Sequence, residues 1–225
     1  GGGILAFTIA GKGTINNMIK GKGLSELPFI TVASEELVSR SYDVSGFTGI
    51  ELSLIGTLEI QRGDAFLVEA SIPENMADLM EVTVRGDTLV LSLEEKALMT
   101  GVKIKVSVTM PDLDSLQVNG FAEVRFSGFE LDSFDLTVAG AAKITGTDGR
   151  CEEARIESSG AAEIDFREFV TGNANVEVSG AADVKLTMGG GDLTGSISGA
   201  ASVVYGGEVR NQEVEMSGAG SVKRR

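Results

Sequence analysis

The sequence predicts an all-β protein built mainly as a β-solenoid of about 20-residue coils, preceded by antiparallel β strands. Three observations predict it. One short phrase recurs six times between Leu116 and the C-terminus: VNGFAEV, VAGAAKI, SSGAAEI, VSGAADV, ISGAASV and MSGAGSV. Its glycines, Gly120, Gly140, Gly160, Gly180, Gly199 and Gly218, stand 20, 20, 20, 19 and 19 residues apart, the period of a coil that buries its apolar face only against its neighbours. Gly is abundant at 30 residues and Pro scarce at 3, as tight turns between uninterrupted strands require.

Residues 1–39 form an irregular N-terminal segment, punctuated by Gly11, Gly13, Gly21, Gly23 and Pro28. Within it, FTIAGKGTI sets Phe7, Ile9 and Ile15 at −4, −2 and +4 from Gly11, the frame of the later array. Residues 40–115 read as an antiparallel β region continuous with the solenoid. Ile50, Leu52 and Leu54 alternate with polar neighbours, and Leu58 and Ile60 lead into Gln61-Arg62-Gly63-Asp64, followed by Phe66, Val68 and Ala70. A Gly-Asp pair between two alternating runs predicts a hairpin, and Arg85-Gly86-Asp87 repeats the device. LSLIGTLEI fits the array frame when centred on Gly56, which makes Gly56 a further turn glycine. PENMADLM has helical character with Pro73 in its first turn, and VKIKVSVTM is a strand ended by Pro111.

Residues 116–225 are the repeat array. Apolar residues stand at −4 (Leu116, Leu136, Ile156, Val176, Val214), −2 (Val118, Val138, Val178, Ile197, Met216) and +4 (Val124, Ile144, Ile164, Val184, Val203, Val222) of each glycine. Period 2 on both sides means two strand segments facing one interior. Position +2 is a small inward corner: Ala122, Ala142, Ala162, Ala182 and Ala201, with Gly220 in the last copy. The glycine is expected to turn the strand through a positive φ or a bulge. Outward beside it, Glu123, Lys143, Glu163, Asp183 and Ser202 stack as a charged column, read first as a solvated face and second as a binding ladder. Phe129, Leu131 and Phe134 close a coil, and the series Phe134, Ala154, Ala174, Thr194 predicts a cross-section that tapers.

Composition narrows the function. A net charge of −14, spread evenly, disfavours nucleic acid and anionic membrane as partners. No apolar run approaches the roughly 18 residues of a membrane span. The chain opens without Met, as one freed of a signal peptide would. Histidine is absent, which removes His-dependent nucleophilic schemes and His-based zinc sites, and the single Cys151 reads as a buried hydrophobe. No catalytic, cofactor-binding or metal-binding residue is assigned. The carboxylate pairs Asp112 and Asp114, Asp132 and Asp135, and Glu152 and Glu153 read as solvated turn residues, although paired acids are what a glycosidase would use. Arg62-Gly63-Asp64 is a tripeptide some integrins read, but the hairpin explains it.

The run YDVSGFTGIELSLIGTLEIQRGD (42–64), followed by TLVLSL, VSVTMPDLDSLQVNG and the SGAA turns ending in MSGAGSV, resembles the head GIN domain family of putative auto-transporter adhesins. The likeness covers roughly residues 40–225. The family's turn is usually Gly-Ser-Gly, and most copies here read Gly-Ala-Ala. The resemblance implies a right-handed β-helix and an extracytoplasmic protein of Gram-negative bacteria, typical of Bacteroidetes, at the cell surface or in the periplasm. It implies a non-enzymatic adhesin or self-associating envelope protein, with a homo-oligomer or a host or cell-surface glycan or protein as partner. The alternative is a β-helix that binds or cleaves polysaccharide. No cofactor is implied.

Overall fold

The computed structural model describes residues 30–94, 98–100, 102 and 104–225, so the coil-like FTIAGKGTI and most of the segment 1–39 lie outside the described residues. Strands account for nearly everything described: β1 (Ile30–Val32), β2 (Leu37–Tyr42), β3 (Gly49–Ser53), β4 (Ile55–Arg62), β5 (Leu67–Pro73), β6 (Met80–Arg85), β7 (Thr88–Leu93), β8 (Leu98–Thr100), β9 (Ile104–Met110), β10 (Ser115–Val118), β11 (Phe121–Ser127), β12 (Glu130–Val138), β13 (Ala141–Ser158), β14 (Ala161–Val178), β15 (Ala181–Gly189), β16 (Asp192–Ile197), β17 (Ser202–Glu208), β18 (Asn211–Met216) and β19 (Ser221–Arg224). The predicted all-β solenoid is what the chain forms.

Each coil carries one strand before its glycine and one after it, and both pair in parallel with their equivalents in the next coil. On the first side one registered column runs Thr88, Gly49, Ser115, Asp135, Arg155, Asn175, Thr194, Glu213. On the second a column runs Lys105, Thr57, Glu123, Lys143, Glu163, Asp183, Ser202, Ser221. The middle of the chain therefore supplies two coils of its own. One is β7 with β9 and the other is β3 with β4, and the array stacks on the second.

Antiparallel pairing is confined to the far side of the first coil. There β5 covers β9, β2 covers β5, and β6 covers β7. The Gly86-Asp87 hairpin forms as expected, with Arg85 opposite Thr88 and a φ of 66° at Gly86. The hairpin expected at Gly63-Asp64 does not form. Strand β9 inserts between β4 and β5, parallel to one and antiparallel to the other, so the turn crosses over its end, where Gly63 N–H donates to the Met110 carbonyl at 2.9 Å. The helical stretch is a 3-10 turn, Glu74–Leu79, with Pro73 just before it, and it buries Met76 and Ala77.

The repeat glycines are required for a different reason than a positive φ. None of Gly120, Gly140, Gly160, Gly180, Gly199 and Gly218 has one. Each corner is instead tied to the corner below: the Ala161, Ala181 and Ala200 amides donate to the Gly140, Gly160 and Gly180 carbonyls at 3.0–3.1 Å. That contact brings the backbones so close that a Cβ on Gly160 would stand 1.9 Å from the Gly140 carbonyl oxygen. Gly56 is not one of this set. It pairs with Ala122 and lies in the column of small inward residues, whereas Leu54 occupies the glycine column. Stacked above it, Gly120 would clash with the Leu54 carbonyl if it carried a Cβ.

The interior is one continuous apolar core, to which the aliphatic columns and buried Ala122, Ala142, Ala162, Ala182 and Ala201 contribute. Its width is kept by alternation rather than taper. Phe126 stands over Gly146, and the phenylalanine rings of neighbouring coils meet across that glycine, Phe126 to Phe166 at 5.4 Å and Phe126 to Phe169 at 5.1 Å. The column that begins Phe134, Ala154, Ala174 continues to Leu193 rather than Thr194, because the coil shortens to 19 residues there and shifts the register.

Candidate functional site

Two outward faces flank the glycine corners, and the same sequence period builds both. On the face after the glycine, the predicted column Glu123, Lys143, Glu163, Asp183, Ser202 is registered coil to coil. Its charges are spent on one another. Lys143 reaches Glu163 at 3.3 Å, Lys185 reaches Glu163 at 3.4 Å and Asp183 at 3.0 Å, and Arg125 meets Glu123 at 2.5 Å. Hydrogen bonds from Lys143 and then Lys185 hold the Glu163 carboxyl below the usual carboxylate range. Next to this network runs an apolar column, Ile55, Phe121, Ala141, Ala161 and Ala181, in which the Phe121 ring is 61% exposed.

The face before the glycine is different. Its outward positions are Thr137, Glu157, Glu177 and Ser196 in one registered column, with Ser159, Ser179 and Ser198 beside them at the corner. Together they line a shallow groove of about 220 Å³. Glu157 and Glu177 stack as like charges one coil apart and share Arg155, at 2.5 and 3.7 Å. Arg155 is held protonated beyond its ordinary range, first by its hydrogen bond to Glu157. This groove presents hydroxyls that donate or accept and carboxylates that accept, on a rigid repeat of about 4.8 Å. The serines one residue before Gly160, Gly180, Gly199 and Gly218 were readable in the sequence, yet attention to the charged column after the glycine passes them by.

Asp135 sits beside Thr137, Arg155 and Glu157 at the groove's edge, and the other sequence candidates lie apart from it. Asp112, Asp114, Asp132, Asp135, Glu152 and Glu153 are exposed. Asp112 caps its neighbour's amide, accepting from Leu113 N–H at 2.9 Å, and Glu152 pairs with Arg150. The acids displaced from their ordinary range, Glu163, Asp165 and Asp192, are displaced downward by Lys or Arg partners, the direction opposite to that of a general acid. Cys151 is buried in register with Thr171, and burial pushes its thiol up to about 11, which leaves it inert at neutral pH. Among the described residues no group of three or more Cys, Asp or Glu is placed to share a metal ion. Nor, among them, is any helix long and apolar enough to cross a membrane.

The family model described as "Putative auto-transporter adhesin, head GIN domain" matches residues 46–209 and 154–225. No curated protein matches. Among solved structures, the fold is similar to a putative adhesin from Bacteroides fragilis at 19% identity and a TM-score of 0.68, over 87% of this chain and 100% of that one. It is also similar to a putative adhesin from Parabacteroides distasonis, at 15% identity and a TM-score of 0.56, over 87% and 100%. A putative lipid binding protein from the same organism aligns at 14% identity and a TM-score of 0.51, over 87% and 99%. At these identities the likenesses speak for the fold.

Proposed function

The chain belongs to the head GIN domain family of putative auto-transporter adhesins, and on that premise we propose that it is a non-enzymatic, extracytoplasmic adhesin. Its docking face is the hydroxyl-lined groove before the glycine corners. The observation that carries this reading is the contrast between the two outward faces. One is a ladder of paired lysines and acids, while the other sets exposed Ser159, Ser179 and Ser198 beside Glu157 and Glu177, two carboxylates that share Arg155, on a fixed repeat.

A row of hydroxyls and carboxylates at even spacing suits a chain ligand with many hydroxyl groups, and the net charge of −14 repels an anionic one. The partner is therefore a neutral cell-surface glycan.

The test is binding of the purified chain to an array of neutral oligosaccharides, with product analysis on each hit. Retention of at least one neutral glycan, weakened tenfold or more in the Glu157→Gln, Glu177→Gln double variant, is the expected result. Release of a shortened glycan would replace adhesion by cleavage. Equal binding by the double variant, or no neutral glycan bound, would remove the groove.

A further inference from the structure

The hairpin expected at Gly63-Asp64 does not form, so a hairpin does not account for Arg62-Gly63-Asp64. The tripeptide also occurs twice. Arg85-Gly86-Asp87 repeats it at the tip of the turn between β6 and β7. In both copies the backbone explains the glycine. Gly86 has a φ of 66°, and a Cβ on Gly63 would stand 2.5 Å from Thr109 Cγ2. Neither constraint asks for arginine before the glycine or aspartate after it.

The arginines set these two turns apart. The chain has ten, all of them among the described residues. Six hold carboxylates: Arg40, Arg125, Arg150, Arg155, Arg167 and Arg210. Arg224 donates to the Gly207 carbonyl and Arg225 to Thr187 Oγ1. Among the described residues, Arg62 and Arg85 alone have no partner for the guanidinium, in a chain that carries 33 acidic residues. Both are exposed, as are Asp64 and Asp87. Asp64 has no side-chain partner among the described residues either, and Asp87 accepts only from Thr88 Oγ1 beside it, at 3.2 Å.

The turns that carry these free groups are braced. The Asp87 carbonyl accepts from the Thr48 and Gly49 amides at 2.9 and 3.0 Å, and the Gly63 amide donates to the Met110 carbonyl at 2.9 Å. Each turn offers a guanidinium and a carboxylate one glycine apart on fixed backbone, so little ordering is lost when a partner closes on it. At Gly86 no atom lies within 4 Å of the place a Cβ would take, which leaves the hairpin tip open to a receptor cleft.

We propose that the two Arg-Gly-Asp turns dock a cell-surface protein receptor that holds a divalent cation beside an acidic side chain. The Asp87 or Asp64 carboxylate completes the coordination of the cation, since hard cations take carboxylate oxygens. The planar guanidinium of Arg85 or Arg62 pairs with both oxygens of the receptor's acid. This contact uses none of the groove residues, so it stands apart from glycan binding.

The test is binding of the full chain to an immobilised integrin ectodomain that reads this tripeptide, in buffer containing manganese. Saturable binding is expected, released by EDTA and displaced by a synthetic Gly-Arg-Gly-Asp-Ser peptide. Asp64→Glu with Asp87→Glu keeps both charges but moves each carboxylate by one methylene, and should weaken binding at least tenfold. Glu157→Gln with Glu177→Gln should bind the receptor as the parent does. No binding, binding indifferent to EDTA, or full binding by the double aspartate variant would overturn the proposal. So would loss of binding to an enzymatically deglycosylated receptor that still takes up the peptide, which would assign the contact to glycans.

Discussion

The two ends of the solenoid solve the same problem in opposite ways. At the first coil the open edges of β7 and β9 are closed by β6, β5 and β2, which run antiparallel to the strands they cover. The 3-10 turn then seals Met76 and Ala77 beneath this cap, and Arg40 of β2 bonds Asp78 at 2.6 Å. Reversed strand direction cannot continue the coil, so growth stops there. At the last coil, β18 and β19 keep the parallel pairing of the interior, and among the described residues no strand covers their outer edge. Stability in such an array is local, a sum of coil and interface contributions. The same substitution should therefore cost very different amounts at the two ends.

The largest effect is expected in the cap. Ile72 is fully buried in β5, and Ile72→Asp places an unpaired carboxylate in the core. A loss of about 3–5 kcal/mol is expected from chemical denaturation. Met216→Asp, at a matching apolar position of the open end, should stay within about 1 kcal/mol for the isolated monomer. Similar losses at the two sites would show that the open end is covered in solution.

Glycine substitutions sharpen the comparison at an intermediate scale. In Gly160→Val, the new side chain collides with the Gly140 carbonyl between two complete coils, and a loss of about 3 kcal/mol or more is expected. Gly218→Val meets the Gly199 carbonyl in the same way, but only the terminal coil need detach to relieve it. Thermal unfolding should drop markedly for the first, and hydrogen exchange should accelerate only in residues 211–224 for the second. Unchanged thermal stability of Gly160→Val would remove the close-contact explanation of the repeat.

How far the fold was legible follows from the same contrast. Glycine corner, alanine corner and flanking aliphatics are local patterns within one 20-residue window, and the period follows from setting neighbouring windows of the array side by side. Pairing between distant segments could not. The run before Gly63-Asp64 alternates as a hairpin arm would, but its neighbour, β9, arrives some forty residues later. Gly56 was misplaced by two positions because glycine serves both columns, at the corner in Gly218 and at the small inward site in Gly220. Thr194 was misplaced by one because a single deleted residue shifts everything after it. The groove was hidden for a chemical reason: serines beside a turn are common, and only their registered stacking with Glu157 and Glu177 makes them a surface.

The smallest expected effect concerns the ion pairs, and it compares the centre of the array with its open end. A hydrogen bond from Arg167 holds the Asp165 carboxyl below its ordinary range, and Arg210 does the same for Asp192 beside the last coil. A carboxyl depressed in the folded state stabilises that state above its unfolded pKa, and the stabilisation is lost as pH falls through the folded value. Arg167→Gln should therefore lower the denaturation midpoint slightly at neutral pH, and its difference from the parent should vanish well below the carboxylate range. Added salt should shrink the neutral-pH difference in the same direction. Arg210→Gln should alter global stability less, because Arg210 joins Asp192 at the edge that opens first, the two groups meeting at 2.7 Å. Denaturation midpoints of both variants at pH 7 and pH 2, with and without salt, measure this. A larger neutral-pH loss for Arg210→Gln would mean that the last coil unfolds together with the centre, and the two ends would then be equally firm despite their different edges.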